Sequence, residues 1–228
     1  MRRPVVETDA RRLLSGGPVT LVTSRWHGKD NVMPAAFVTP LSMAPPLVGV
    51  AINPAHHSYD MIRNSEQFAL NIPGRRLLHH VQYLGSVSGS QVDKFELTKL
   101  PTFKALRVEA PLIEGCVAHI ECGLEDALRT GDHVLFVGRV LAASADAEAF
   151  DETWLLEDDD EKPLHHLGAN RYALLGQKME ARIPKPQEGE ESLEEAFAEH
   201  MEQAKEEEEK GAEKKRKRAK EGPPAEES

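Results

Sequence analysis

The stretch NVMPAAFVTPLSMAPPLVGVAINPAHHSY, residues 31–59, decides the reading of this chain. It sets a small-residue strand, running from Asn31 and Met33 through Ala35 and Ala36 to Phe37 and Val38, ahead of a Pro45-Pro46 break. A buried apolar run over 47–52 and a polar turn at His57-Ser58 follow. Small side chains leave strand amides accessible, which a backbone cradle for a flat, phosphorylated cofactor requires, and Phe37 offers a ring to pack on it. The apolar run has strand length and reads as buried on both faces. Because proline cannot donate a ladder hydrogen bond, that strand is expected to start after Pro46, with a turn over 42–46 before it.

Working outward, Thr8 or Asp9 caps a short helix that stops at Gly16-Gly17. Residues 19–23 read as a β-branched strand and 25–30, around Gly28, as a turn. Residues 57–64 suit a short helix and 68–72 a further strand. Leu77, Leu78, Val81 and Leu84 give residues 75–84 the spacing of an amphipathic helix. Residues 117–127 and 134–143 flank Arg129-Thr-Gly-Asp132 and predict a hairpin with a loop longer than two residues. A last strand is expected over 172–175. Many short strands with few helices argue for a barrel or sandwich, not a doubly wound sheet.

Composition sets the frame for these elements. The chain has 228 residues and a formal net charge of -10, which gives no support for a nucleic-acid protein. Residues 1–184 make one domain, a size that buries roughly 70% of its unfolded surface. Residues 185–228 hold 15 Glu and 9 Lys or Arg, so they read as a disordered or partly helical charged tail. Within the tail, Leu193, Phe197 and Met201 recur at helical spacing, and the basic run 214–218 closely follows the acidic run 206–209. Cys116 and Cys122, six apart, are expected on one face of one strand as reduced core residues. No apolar run approaches the roughly 20 residues of a membrane span, and the N-terminus carries no signal-peptide core. A soluble, cytoplasmic protein without membrane contact is the expectation.

The ordered series of motifs resembles the flavin reductase-like family of FMN-binding split barrels. The matching residues are Asn31, Met33, Ala35, Ala36 and Phe37, then His57-Ser58, the Gly85-Ser-Val-Ser-Gly89 loop, Asp93-Lys94-Phe95, Thr130-Gly131-Asp132-His133, and His165 to Tyr172. Together they cover roughly residues 5–178, and the series is far more specific than any one piece. The resemblance implies a mainly β fold with short helices, a six-stranded Greek-key split β-barrel, paired as a homodimer with the flavin near the interface. It carries over cofactor-binding roles for Asn31, Met33, Ala35, Ala36, Phe37, Val38, Ser42, His57, Ser58, Ser86, Val87, Ser88, Lys94 and His133. His165 and Tyr172 match the segment near the nicotinamide.

The residues themselves say what each can do. Asn31 both donates and accepts, matching the mixed edge of a flavin ring or its ribityl hydroxyls, although a turn asparagine looks the same. Phosphate needs donors or positive charge, supplied by the helix start at His57-Ser58, the hydroxyls and glycines of 85–90, and the mobile charge of Lys94. The family's arginine shortly before the His-Ser position is missing, where this chain reads Asn53-Pro54-Ala55-His56. The adjacent pairs His56-His57, His79-His80 and His165-His166 lack metal-ligand spacing. His79 and His80 read as the polar side of their helix.

The resemblance implies an NAD(P)H-dependent flavin reductase in which hydride passes from NADH or NADPH to flavin N5. The protein then supplies position and solvent exclusion, and no side chain is assigned a catalytic role. A flavin-dependent oxygenase or another electron acceptor is the implied partner. The alternative is a non-catalytic FMN-binding carrier or redox sensor that docks a partner through its charged tail. A heme- or pyridoxamine-related split barrel fits the matched motifs less well.

Overall fold

The structure is a computed structural model that describes residues 4–14, 16–181, 197–198, 201–205 and 210. Met1–Gln177 form one compact unit and Lys178–Ser228 another. Leu193 and the charged runs 206–209 and 214–218 lie outside the described residues, whereas Phe197 and Met201 are helical and exposed.

A 3-10 helix at Glu7–Leu14 opens the first unit. Then come β1 (Thr20–Trp26), β2 (Lys29–Ala35), β3 (Val38–Met43), β4 (Pro46–Ile52), α1 (His57–Ser65) and β5 (Gln67–Pro73). A 3-10 turn at Arg75–Leu77 leads into α2 (Leu78–Ser86), followed by α3 (Lys94–Thr98), β6 (Thr102–Phe103) and β7 (Leu112–Ile113). The long strands β8 (Cys116–Thr130) and β9 (His133–Ala145) precede the short β10 (Phe150–Asp151), β11 (Thr153–Trp154), β12 (His165–Gly168) and β13 (Arg171–Ala173).

The principal sheet has seven strands in the order β2-β1-β5-β8-β9-β4-β3, with antiparallel pairing throughout. This replaces the six strands expected, because residues 38–43 form β3 where the sequence suggested the approach to a turn. The turn that remains is Ala44-Pro45, and Pro46 opens β4, a position where its missing N–H costs nothing. Strands β2 and β3 are the two edges of the sheet, yet Ala36 and Phe37 alone separate them in sequence. A flat sheet would hold those edges about 29 Å apart, six spacings of ~4.8 Å, whereas two linking residues span about 10 Å. The sheet therefore curls on itself, and Ala51 N donates to Phe37 O at 2.9 Å where it does so.

Two turns are tighter than the sequence suggested. Positive φ at His27 (50°) and Gly28 (73°) lets two residues join β1 to β2, so Arg25 and Asp30 are strand residues. They pair through two hydrogen bonds of 2.5 and 2.6 Å. Gly131-Asp132 joins β8 to β9 in the same way, with Gly131 at φ 68° and Thr130 opposite His133, correcting the expected longer loop.

Alternate residues of β1 feed two cores, as the period of a strand requires. Leu21 packs with Val32 and with Leu77, Val81 and Leu84, which seats α2 on β1 and β2. Val22 joins Ile52, Phe68, Leu70 and Phe136 inside the curl, where Ile62 of α1 also packs. Cys116 belongs to the first cluster and Cys122 to the second, not to one face as expected. The reason is an irregularity at the start of β8, where Ile72 pairs with Ala118 but Pro73 with Cys116. Burial pushes both thiols up to about 12. Among the described residues, no helix is long and apolar enough to cross a membrane.

Candidate functional site

Two adjoining cavities lie between β2 and α2, sharing Pro34, Gly85 and Ser86 as their common wall. Their volumes are about 310 and about 290 Å³, so each alone is at the lower end for a small-molecule site, roughly 300–1,000 Å³.

The first cavity is polar. Asn31 of β2 is 3% exposed and its Nδ2 donates to Ser58 Oγ of α1 at 2.7 Å. Its Oδ1 is buried without a hydrogen-bond partner. Leaving such an acceptor unmet costs ~1–3 kcal/mol, which a ligand hydroxyl or N–H would recover. The loop after α2 closes tightly over this group, since a Cβ at Gly89 would lie 2.0 Å from Asn31 Oδ1 and 3.1 Å from His57 Cδ2. His57 opens α1, whose first turn has no side-chain cap at His56 and so keeps amide donors available. Val87 and Ser88 continue the wall, and Ser88 Oγ bonds Ser90 Oγ at 2.9 Å. Ser86 lines both cavities, but its hydroxyl donates to Tyr83 O at 2.7 Å, which leaves it an acceptor toward any ligand.

Lys94 also lines this cavity, though not as the mobile charge the sequence suggested. It is 4% exposed, and its Nζ donates to Leu84 O in the last turn of α2 at 2.7 Å. Burial pushes its ammonium down to about 8. An anion in the cavity would favour the charged form. An unmet acceptor beside a buried cation and hydroxyls suits a ligand that bears both hydroxyl donors and a phosphate.

The second cavity is less polar. Val19, Pro34, Ala35, Ala36 and Val81 give it apolar walls. Across from them stand Gln82, His166 and Tyr172. Tyr172 donates its hydroxyl to Gln82 Oε1 at 2.9 Å, and burial raises its pKa, keeping it protonated. Of the histidine pair it is His166, not His165, that lines the cavity. Neighbours on a strand point to opposite sides, and His165 Nδ1 instead donates to Gly16 O at 2.5 Å.

Phe37, Val38, Ser42 and His133 do not line either cavity. The chain leaves the cavity wall at Ala36 and crosses to the opposite sheet edge. Val38 therefore packs into the interior core, Ser42 sits far along β3, and Phe37, 46% exposed, stacks against His133 at 5.6 Å between ring centroids. His133 Nδ1 bonds Asp132 Oδ1 at 2.8 Å and holds that carboxyl below its usual range.

Sequence reasoning missed Gln82, His56 and His166. Gln82 stands four residues before Ser86, on the same side of α2, which is the spacing that would have found it. His56 borders the first cavity, with Nδ1 3.2 Å from Met33 Sδ.

Known proteins resemble this chain in sequence and in fold. The chain is 34% identical over 184 residues to the uncharacterized protein YddH of Escherichia coli (strain K12), covering 78% of this chain and 97% of that one. It is 28% identical over 150 residues to an NADH-dependent FAD reductase of Streptomyces globisporus, covering 62% and 78%. The FMN-binding protein of Thermus thermophilus superposes with a TM-score of 0.69 at 28% identity, over 80% of this chain and 99% of that structure. The sequence model of the flavin reductase like domain matches residues 12–169, and on that span the chain belongs to the flavin reductase-like family.

Proposed function

We propose that this protein is an FMN-binding oxidoreductase, an NAD(P)H:flavin reductase that passes hydride from a nicotinamide to flavin. The observation that carries this reading is the unpartnered, buried Asn31 Oδ1 in a cavity that also holds Lys94, joined to a neutral cavity walled by Ala35 and Ala36. The relatives named as FMN-binding and as an NADH-dependent reductase support it.

In this reading Asn31, Ser58, Ser88, His57 and Lys94 hold the ribityl phosphate, and Ala35 and Ala36 give the ring access to backbone. A bound flavin supplies a two-electron acceptor for hydride. Asn31 is fixed by Ser58, so its free oxygen is oriented before a ligand arrives. Lys94, tied to Leu84 O, supplies positive charge and joins the phosphate side to α2. Val19, Val81 and the alanines give the ring an apolar seat in the second cavity, and a nicotinamide would stack on its open face near Tyr172.

The partner copy of a homodimer covers the outer face of β3, β4 and β9. There Leu41 and Leu135 flank Gly49, whose Cβ position would lie 3.0 and 2.9 Å from them, and Leu41 and Leu141 are exposed. A light-scattering mass of one chain would remove the dimer from the proposal. Reduced flavin then serves a partner oxygenase or another acceptor.

Anaerobic visible absorbance of the FMN-loaded protein tests the activity. Bleaching by NADH or NADPH well above the protein-free rate is expected and gives the donor preference. Flavin that binds and stays oxidised with both would overturn the reductase and leave a carrier or sensor.

A further inference from the structure

Met33 and His56 both line the first cavity and touch each other there. His56 Nδ1 lies 3.2 Å from Met33 Sδ, and a thioether has no proton to give, so the imidazole N–H donates to sulfur. Met33 stands two residues beyond Asn31 on β2, and His56 immediately precedes α1, whose Ser58 takes the bond from the Asn31 amide. Residues 56–58 therefore carry two ties from β2 to α1, and together these ties set how Asn31 Oδ1 faces the cavity.

The methionines differ in what an oxidant can do to them. Met43 and Met179 are open to solvent, at 95% and 89% exposed, and Met61 is sealed at 3%. Met33 is half-buried, but it lines a cavity, so a small oxidant that enters reaches its sulfur. Hydrogen peroxide is such an oxidant, and it forms when dioxygen takes two electrons and two protons from a reduced flavin. The sulfur lone pair that His56 leaves free attacks one peroxide oxygen, the O–O bond breaks, and the departing hydroxide takes the remaining proton and leaves as water. Sulfur is oxidised by two electrons to the sulfoxide, and peroxide is reduced.

The product does not fit the contact. A sulfoxide oxygen is a far better acceptor than a thioether, so the imidazole N–H is drawn to it. That oxygen needs a hydrogen bond of about 2.9 Å to nitrogen in addition to its bond to sulfur, and a separation of 3.2 Å has no room for both. The His56 side must then move away from β2, which disturbs the start of α1 and the bond between Asn31 and Ser58. Partial negative charge is also added where an anion is to bind.

We infer that Met33 is a redox modification site that competes with flavin: FMN in the cavity shields the sulfur, and the sulfoxide, acting through His56, weakens FMN binding. The competition rests on the flavin site proposed above, whereas the oxidation of the sulfur does not. A reductase that loses its flavin amid peroxide made from its own product is thereby held empty until a methionine sulfoxide reductase restores the thioether.

The test treats flavin-free wild type, M33L and M43L with hydrogen peroxide, reads sulfoxide at each methionine by peptide mass, and titrates FMN by fluorescence before and after. Met33 and Met43 should both gain oxygen while Met61 does not. FMN at ten times its Kd should slow the reaction at Met33 about tenfold and leave that at Met43 unchanged, because only the empty fraction reacts. Peroxide should lower the FMN affinity of wild type and M43L about tenfold, the worth of one or two hydrogen bonds, and methionine sulfoxide reductases should restore it. M33L, whatever its starting affinity, should be unmoved by peroxide. A Met33 that stays unoxidised while Met43 is converted, or a Met33 sulfoxide that binds FMN as before, overturns the inference. A wild type that takes up no FMN overturns the flavin reading instead, and peptide mass with the His56 imidazole NMR signal then still decides whether Met33 is oxidised and the contact opened.

Discussion

The two cavities on either side of Pro34 and Gly85 are closed by different means. Around the first, two buried bonds tie the walls, Asn31 on Ser58 and Lys94 on Leu84 O, and Gly89 is pressed against the Asn31 amide. Around the second, the cross-wall contact is the solvent-accessible bond between Tyr172 and Gln82, set among small apolar side chains. Exposed bonds on a hairpin open more readily than buried ones in a packed core. The first chamber is thus the more firmly held of the two and the second the more readily opened.

The comparison breaks most visibly at Gly89. A Cβ there collides with Asn31 Oδ1, so Gly89→Ala should cost ~1–3 kcal/mol of flavin binding, a fall in affinity of about 5- to 150-fold by fluorescence titration. An unchanged Kd would mean that the loop does not shape the first cavity. Asn31→Ala should weaken FMN about tenfold, yet leave the flavin-free melting temperature little altered, because the substitution also removes a buried acceptor that has no partner. A large loss of stability with unchanged affinity would make Asn31 a purely structural residue.

The smallest effect concerns pH. Burial pushes folded Lys94 down to about 8, whereas an unfolded lysine keeps its proton to about 10.4. Between those values the unfolded chain binds more protons, so this residue makes stability rise with pH, by at most about 1.4 kcal/mol per unit. Urea unfolding from pH 7.5 to 9.5 should show that slope in wild type and its loss in Lys94→Met. Parallel slopes would place the titration elsewhere. FMN binding, which favours the charged lysine, should weaken over the same range.

What could be read in advance follows the reach of the interactions. The strands at 47–52 and 68–72 and the helix at α1 were legible because apolar period and flanking turn residues act locally. Asn31, Ser58, Lys94 and the 85–89 loop, each singled out through a short pattern, line one cavity, although neither the tether on Lys94 nor the bond from Ser86 to Tyr83 O is written in such a pattern. Phe37 and His133 were placed beside the ligand because the split between β2 and β3 depends on strand order, which no window of sequence contains. The same applies to His166. One residue of register decides which histidine of the pair faces the cavity, and that register is set by the bridge from Pro18 to His165.

Both open edges of the curled sheet carry a proline, Pro34 on β2 and Pro40 on β3. A strand laid along either edge would find a gap in the row of N–H donors, so neither margin can template the growth of a larger sheet. Any contact between copies of this chain would then run face to face, through side chains, and not as an extension of the sheet along these margins.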